Sequence, residues 1–241
     1  MPRNERKLGL HEELLLLVLK DREGTPAAED SYRFALGGAI LAELLLQERI
    51  RLAEPRMTAG TRAGRWLQQV FSERHLLEVK NTRLTADPVL DDCLGKVGSA
   101  KRRASLKTWI QRIGQMPKLR HRVAEGLCRK GVLRAEVDQV FLIFQRKVYP
   151  ELDPRPEQEV VERLRRAIVL EGTRVDARTT ILLSLCLAAD LLKIPIAKKT
   201  LKSKKRRIEA IVHGETLGQA AKEAVEAARA AAQTAYFVGY G

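Results

Sequence analysis

Lysine and arginine dominate the side chains of this chain that could do chemistry, and the chemistry is anion recognition. One group is Lys118, Arg120 and Arg122, followed by Arg129 and Lys130. On a helix, Lys118 and Arg122 share a face and Arg120 projects from another side. A second run holds Lys198, Lys199, Lys202, Lys204, Lys205, Arg206 and Arg207. Such a run is either a solvated helix face or a surface for anionic lipid, where each cation near the headgroups contributes about 1 kcal/mol. Charge-assisted bonds from arginine to phosphate oxygens supply orientation as well as attraction.

Other reactive types do not converge. His11, His75, His121 and His213 have no second histidine or cysteine at ligand spacing, so no metal site and no cofactor are expected. His11-Glu12-Glu13 lacks the later histidine of a zinc-protease motif. Gly37-Gly38 stands without the Lys-Ser/Thr of a phosphate loop, and no G-x-S-x-G elbow occurs. Asp91-Asp92 fits the first turn of a helix, where negative charge is favoured. Glu43, an acid inside an apolar stripe, reads as a buried salt-bridge partner or as the stripe's solvent edge, with catalysis the least supported reading. An enzyme is not expected.

The elements that must position these groups are mostly helical. Leu36–Ile50 is apolar nearly all round, which places it in the middle of a domain. A glycine inside a helix costs roughly 1 kcal/mol against alanine, so Gly37 and Gly38 need a close-packing reason. Leu10–Lys20 is a second helix, ended near Gly24. Ile50–Leu52 and Leu77–Val79 alternate as short strands expected to pair across a Gly/Arg-rich loop, Glu54–Arg65. Asp87-Pro88, Asp153-Pro154 and Asp176 mark helix starts. Leu106, Trp109, Ile110 and Ile113 form one apolar stripe, and Leu119, Val123, Leu127 and Cys128 another. Val132–Val148 reads as a β-hairpin turning at Asp138-Gln139, with Phe141-Leu142-Ile143-Phe144 its most strand-like run. That run is either a buried strand or an exposed tip that enters a membrane or partner, with Arg146 and Lys147 at the headgroups. Ile181–Leu192 is a second buried helix, and Thr216–Phe237 an alanine-rich one.

The fold class is therefore mainly α: a single globular domain of helices around a buried apolar helical core, with small β-hairpins at the edge. Residues 1–7 form a short charged arm, 8–237 the domain and 238–241 a flexible tail. A 45% hydrophobic content among 241 residues suffices for a sizeable core. The net charge of +14 implies an anionic partner: nucleic acid, a membrane surface or an acidic protein. Nucleic acid is disfavoured, because no helix-turn-helix, zinc finger or aromatic RNA-binding signature is present. Cys93, Cys128 and Cys186 are far apart and odd in number, and read as reduced core residues in a reducing compartment. The run Leu14–Leu19 is too short for a signal sequence, and no stretch reaches the ~20 apolar residues of a membrane span. A cytoplasmic, soluble or membrane-peripheral chain is expected.

The motifs LGLHEELLLLVLKDREG at Leu8–Gly24 and LGGAILAELLLQERIRL at Leu36–Leu52 carry a resemblance. So do DPVLDDCL at Asp87–Leu94, Trp109-Ile110, VAEGLCRKGVL at Val123–Leu133, the FLIF run and ILLSLCLAADLL from Ile181. Together the chain resembles the Golgi phosphoprotein 3 family, from about Leu8 to Leu192. Its alanine- and arginine-rich wording suggests a bacterial-type relative. The resemblance implies a peripheral membrane protein that binds phosphatidylinositol 4-phosphate, at the cytosolic face of the Golgi in eukaryotes. It implies a pocket of a tryptophan and three arginines beside a hydrophobic hairpin, and protein clients in glycosyltransferase tails. Carried over, one arginine falls on Arg120 and its pair on Pro117, with Lys118 adjacent. The tryptophan falls near Ala28. The third arginine falls on Gly37 or Gly38, with Arg33 the local stand-in. The expected headgroup contacts are thus Arg120, Lys118, Arg122 and Arg33, and the expected hairpin is Phe141, Leu142, Ile143 and Phe144. The alternative reading is a non-enzymatic adaptor or homo-oligomeric scaffold binding acidic proteins or cytoplasmic tails.

Overall fold

The computed structural model describes residues 7–19, 32–53, 76–140, 144–172, 175–213, 227 and 230. The expected Gly24 cap, the Glu54–Arg65 loop, Phe141–Ile143 and nearly all of Thr216–Phe237 lie outside the described residues. Two central helices organise the rest. The first, α1 (Leu10–Val18), is buried at every position, His11, Glu12 and Glu13 included. Glu12, at the third helical position, accepts the Gly9 backbone N–H at 2.7 Å, so one end of the helix is capped by its own side chain. The second, α2 (Tyr32–Leu46), starts four residues before the expected Leu36 and ends at Leu46, because Ile50 enters a strand.

Both Gly37 and Gly38 lie inside α2, and the need for close packing is met at Gly37. A Cβ there would stand 2.9 Å from the Ile110 carbonyl oxygen and 3.1 Å from the Gly114 nitrogen. These belong to α4 (Leu106–Gly114), the helix of the Trp109 stripe, whose Leu106, Trp109, Ile110 and Ile113 are buried. Glycine meets glycine at this crossing: a Cβ on Gly114 would lie 3.0 Å from the Arg33 carbonyl oxygen.

Strands β1 (Ile50–Ala53) and β2 (Leu76–Val79) pair antiparallel, Ile50 opposite Val79, as alternation predicts. Then α3 (Pro88–Gly98) begins at Asp87, whose carboxylate accepts from the Val89 and Leu90 N–H groups. Of the two aspartates expected in its first turn, Asp91 is there and accepts from Thr85, whereas Asp92 lies one residue beyond and pairs with Arg122. Helix α5 (Leu119–Arg129) buries Leu119, Val123 and Leu127. Helix α6 (Arg155–Val169) covers α1. Helix α7 (Ala177–Ala188), capped by Asp176 at Thr179 N (2.9 Å), packs on α2 as the second buried helix. Short helices α8 (Lys198–Ser203) and α9 (Lys205–His213) follow.

The hairpin differs from expectation. Strand β3 covers Glu136–Val140 and β4 covers Phe144–Val148. Asp138 and Gln139 are not the turn: they pair with Arg146 and Gln145 inside the ladder. Val132 and Leu133 belong to the core, where Leu133 bridges Glu151, so the pairing starts farther out. Of the FLIF run, Phe144 opens β4, and Phe141, Leu142 and Ile143 lie outside the described residues. All three cysteines are free; Cys93 and Cys186 are buried, whereas Cys128 is only half-buried. Burial pushes the Cys93 thiol up to about 12, which makes it inert as a nucleophile. No helix among the described residues is long and apolar enough to cross a membrane.

Candidate functional site

The α2–α4 crossing determines where Arg33 can be. With glycine on both helices the backbones approach closely, and the first turn of α2 comes to lie over the end of α4. Past Gly114 the chain turns, and Lys118 adopts a left-handed conformation (φ 57°, ψ 22°) before α5 begins. The outcome is a cavity of about 240 Å³ lined by Tyr32, Arg33, Leu36, Lys118, Arg120 and His121, with Gly114, Met116 and Leu119. Three of the four expected contacts, Arg33, Lys118 and Arg120, thus line one cavity, and among the described residues no carboxylate lines it.

Arg120 Nη2 lies 3.3 Å from His121 Nε2, and His121 Nδ1 lies 3.0 Å from the Tyr149 hydroxyl. A guanidinium has only donors, so Nε2 must accept and Nδ1–H donates to the Tyr149 oxygen. Partial burial, with Arg120 and Lys147 nearby, holds the His121 pKa below the usual imidazole value, which keeps the ring neutral. Burial pushes the Tyr149 hydroxyl up, so it stays protonated. Among the described residues Arg120 is therefore braced by a neutral acceptor and not paired with an anion.

Arg122 does not join them. Its Nη1 reaches Asp92 Oδ2 at 2.7 Å, on α3. Two residues apart on a helix point to different sides. Lys118 and Arg122 do not share a face either, because Lys118 precedes the helix in a left-handed turn. The site proposed for an arginine at Gly37 or Gly38 is excluded at Gly37, where even a Cβ collides with the α4 backbone. Ala28, the position of the family tryptophan, lies outside the described residues. Arg146 binds Asp138 at 2.8 Å and Lys147 lies 3.5 Å from Glu125, all on the surface, where such pairs contribute roughly 0–1 kcal/mol. In the second basic run Lys204 pairs with Glu171 at 2.6 Å, and Arg207 donates to the Ala167 and Leu170 carbonyls. Lys198, Lys199 and Lys202 remain exposed.

A buried polar network escaped the sequence reading. Glu13 accepts from Arg163 Nη2 at 2.7 Å and from Arg178 Nε at 3.2 Å. Arg178 also reaches Glu43 at 3.0 Å and the Leu8 carbonyl oxygen at 2.5 Å. Glu43 is thus the buried salt-bridge partner, not a solvent edge. Burial raises its pKa, but Arg178, Gln47 and the Leu10 N–H together hold it below the usual carboxylate value. The available signal was His11-Glu12-Glu13 heading an otherwise leucine helix. Spacing alone also predicts no metal-ligand set, yet the fold brings His11, Glu12 and Asp87 together, with their ligand atoms within 4.8 Å of one another.

The family model described as Golgi phosphoprotein 3 (GPP34) matches residues 10–228. The chain is 28% identical over 177 residues to the vacuolar protein sorting-associated protein 74 of Eremothecium gossypii, covering 68% of this chain. It spans 50% of that relative's length.

Proposed function

This chain belongs to the Golgi phosphoprotein 3 family, and on that premise we propose that it is a non-enzymatic peripheral membrane protein that recognises anionic phospholipid headgroups of the phosphatidylinositol 4-phosphate kind. One observation carries the reading: Arg33 from α2, and Lys118 and Arg120 from the start of α5, converge on a cavity that no carboxylate among the described residues lines. A volume near 240 Å³ falls below the roughly 300–1,000 Å³ of sites enclosing a drug-sized ligand. It suits a headgroup whose acyl chains stay in the bilayer. Arg120 is the principal phosphate contact, oriented by neutral His121; Lys118 and Arg33 add charge, and Arg122 stays with Asp92. Arginine at such a site is not interchangeable with lysine, because the planar fork matches two phosphate oxygens.

Flotation with neutral vesicles, phosphatidylserine vesicles and vesicles carrying phosphatidylinositol 4-phosphate tests this. Expected is strong recovery on the last and a several-fold loss for Arg120→Ala with an unchanged thermal melt. Equal recovery on neutral vesicles, with no loss for Arg120→Ala, overturns it. A second reading, an adaptor or oligomeric scaffold, is favoured by the β3–β4 hairpin, where Val137 is 62% exposed. Sedimentation over a range of concentrations separates the two, since a strict monomer removes the oligomer.

A further inference from the structure

A different cavity, of about 540 Å³, opens where the start of α1 meets the start of α3. His11, Glu12, Glu43, Asp87, Gly126 and Lys130 are among its walls. His11 and Glu12 are each only 1% exposed, yet His11 Nδ1 and Glu12 Oε1 are buried without a hydrogen-bond partner. Each such orphan costs about 1–3 kcal/mol; an ion held by Glu12 Oε1 and His11 Nε2 would satisfy the carboxylate oxygen, and with Nε2 on the ion the imidazole proton resides on Nδ1. Lys130 Nζ stands 2.5 Å from Glu12 Oε2, so one cation already sits against this cluster.

We propose that His11, Glu12 and Asp87 are the protein ligands of a divalent transition-metal ion, with zinc the best fit. The imidazole is a borderline donor and the carboxylates are hard ones; zinc accepts this mixed set, whereas calcium and magnesium take oxygen ligands and do not favour the imidazole. The geometry is close to that of a loaded site. His11 Nε2 and Asp87 Oδ2 are 3.2 Å apart, near the edge of a tetrahedron with bonds of about 2.0–2.1 Å. Glu12 closes the set within 4.8 Å. Asp87 is pre-oriented, because its other oxygen accepts from Val89 N at 2.8 Å and Leu90 N at 3.1 Å. Two carboxylates balance the dication. Entry of the ion requires Lys130, on its flexible stem, to swing away from Glu12. Glycine at position 9 keeps room for the ring, because a Cβ there would lie 2.5 Å from His11 Cε1. Three protein ligands leave a position for water in the cavity.

The test strips the full chain with EDTA and titrates it with cobalt(II), read by visible absorption, and with zinc, read by calorimetry. Expected is one equivalent per chain with no sulfur-to-metal charge-transfer band, and at least about a tenfold affinity loss in Glu12→Gln and in Asp87→Asn. Those variants remove buried partners and can fail to fold, so Lys130→Ala gives an independent readout. Removing the competing cation should tighten zinc binding several-fold, and zinc should restore a melting temperature lowered in EDTA. The proposal is overturned by absence of saturable uptake, by a thiolate band, by uptake unchanged in folded Glu12→Gln and Asp87→Asn, or by no zinc rescue of Lys130→Ala.

Discussion

Arg178 makes three contacts that join distant parts of the chain: Glu13 at 3.2 Å, Glu43 at 3.0 Å and the Leu8 carbonyl oxygen at 2.5 Å. Removing one member of a buried ion network leaves uncompensated charge and typically costs 3–5 kcal/mol. Arg178→Ala should therefore lose about 3–5 kcal/mol at neutral pH in denaturant melts. The pH dependence has a definite sign. In the intact protein Glu43 titrates below its ordinary value, so its contribution is present above that value and is lost as pH falls through the lowered one. Without Arg178, burial dominates and raises the Glu43 pKa, so the variant's deficit should shrink on acidification. A deficit that grows below pH 5 would contradict this network. At this scale the sequence was ambiguous: Glu43 in an apolar stripe marked something unusual, but its partner lies 135 residues away.

Among elements, the α2–α4 crossing positions the cavity lined by Arg33 and Arg120, and its glycine was legible because a helix interior rarely tolerates one without cause. Gly37→Ala gains up to about 1 kcal/mol of helix propensity. It also drives a methyl against the Ile110 carbonyl oxygen and Gly114 nitrogen, 2.9 and 3.1 Å away, and overpacking of this kind costs about 1–3 kcal/mol. The clash involves backbone and cannot be relieved by a rotamer change. The expected result is net destabilisation by thermal melt and weaker vesicle capture, since Arg33 moves with α2. The hairpin was legible as a hairpin but not in its turn. β propensity marked Val140–Phe144 as strand, whereas the ladder pairs Asp138 with Arg146 and Val140 with Phe144. That register places Asp138 opposite Arg146, a cross-strand charge pair that an apolar count does not see.

At the scale of the whole molecule, a net charge of +14 acts over distance, while the pocket acts at contact. Salt separates the two, because the Debye length falls from about 10 Å at 0.1 M to about 3 Å at 1 M. Recovery on phosphatidylserine vesicles should collapse as salt rises from about 0.1 to about 0.5 M. Recovery on phosphatidylinositol 4-phosphate should fall less if, as proposed, the headgroup is enclosed beside Arg120. Parallel loss on both vesicle types would reduce the pocket to a general basic surface.

Composition and period by themselves determined the helical class, the two apolar core helices, the capped starts at Asp87 and Asp176, and the basic character. These follow from local rules, in which a residue's type and its neighbours along the chain suffice. Only the tertiary structure decided which cations act together. It joined Arg33 to Lys118 and Arg120, sent Arg122 to Asp92, and buried His11, Glu12 and Glu13 at the head of α1. Side-chain direction depends on backbone turns such as the left-handed one at Lys118. Charge pairing depends on which helices touch, and no spacing along one strand of residues contains that information.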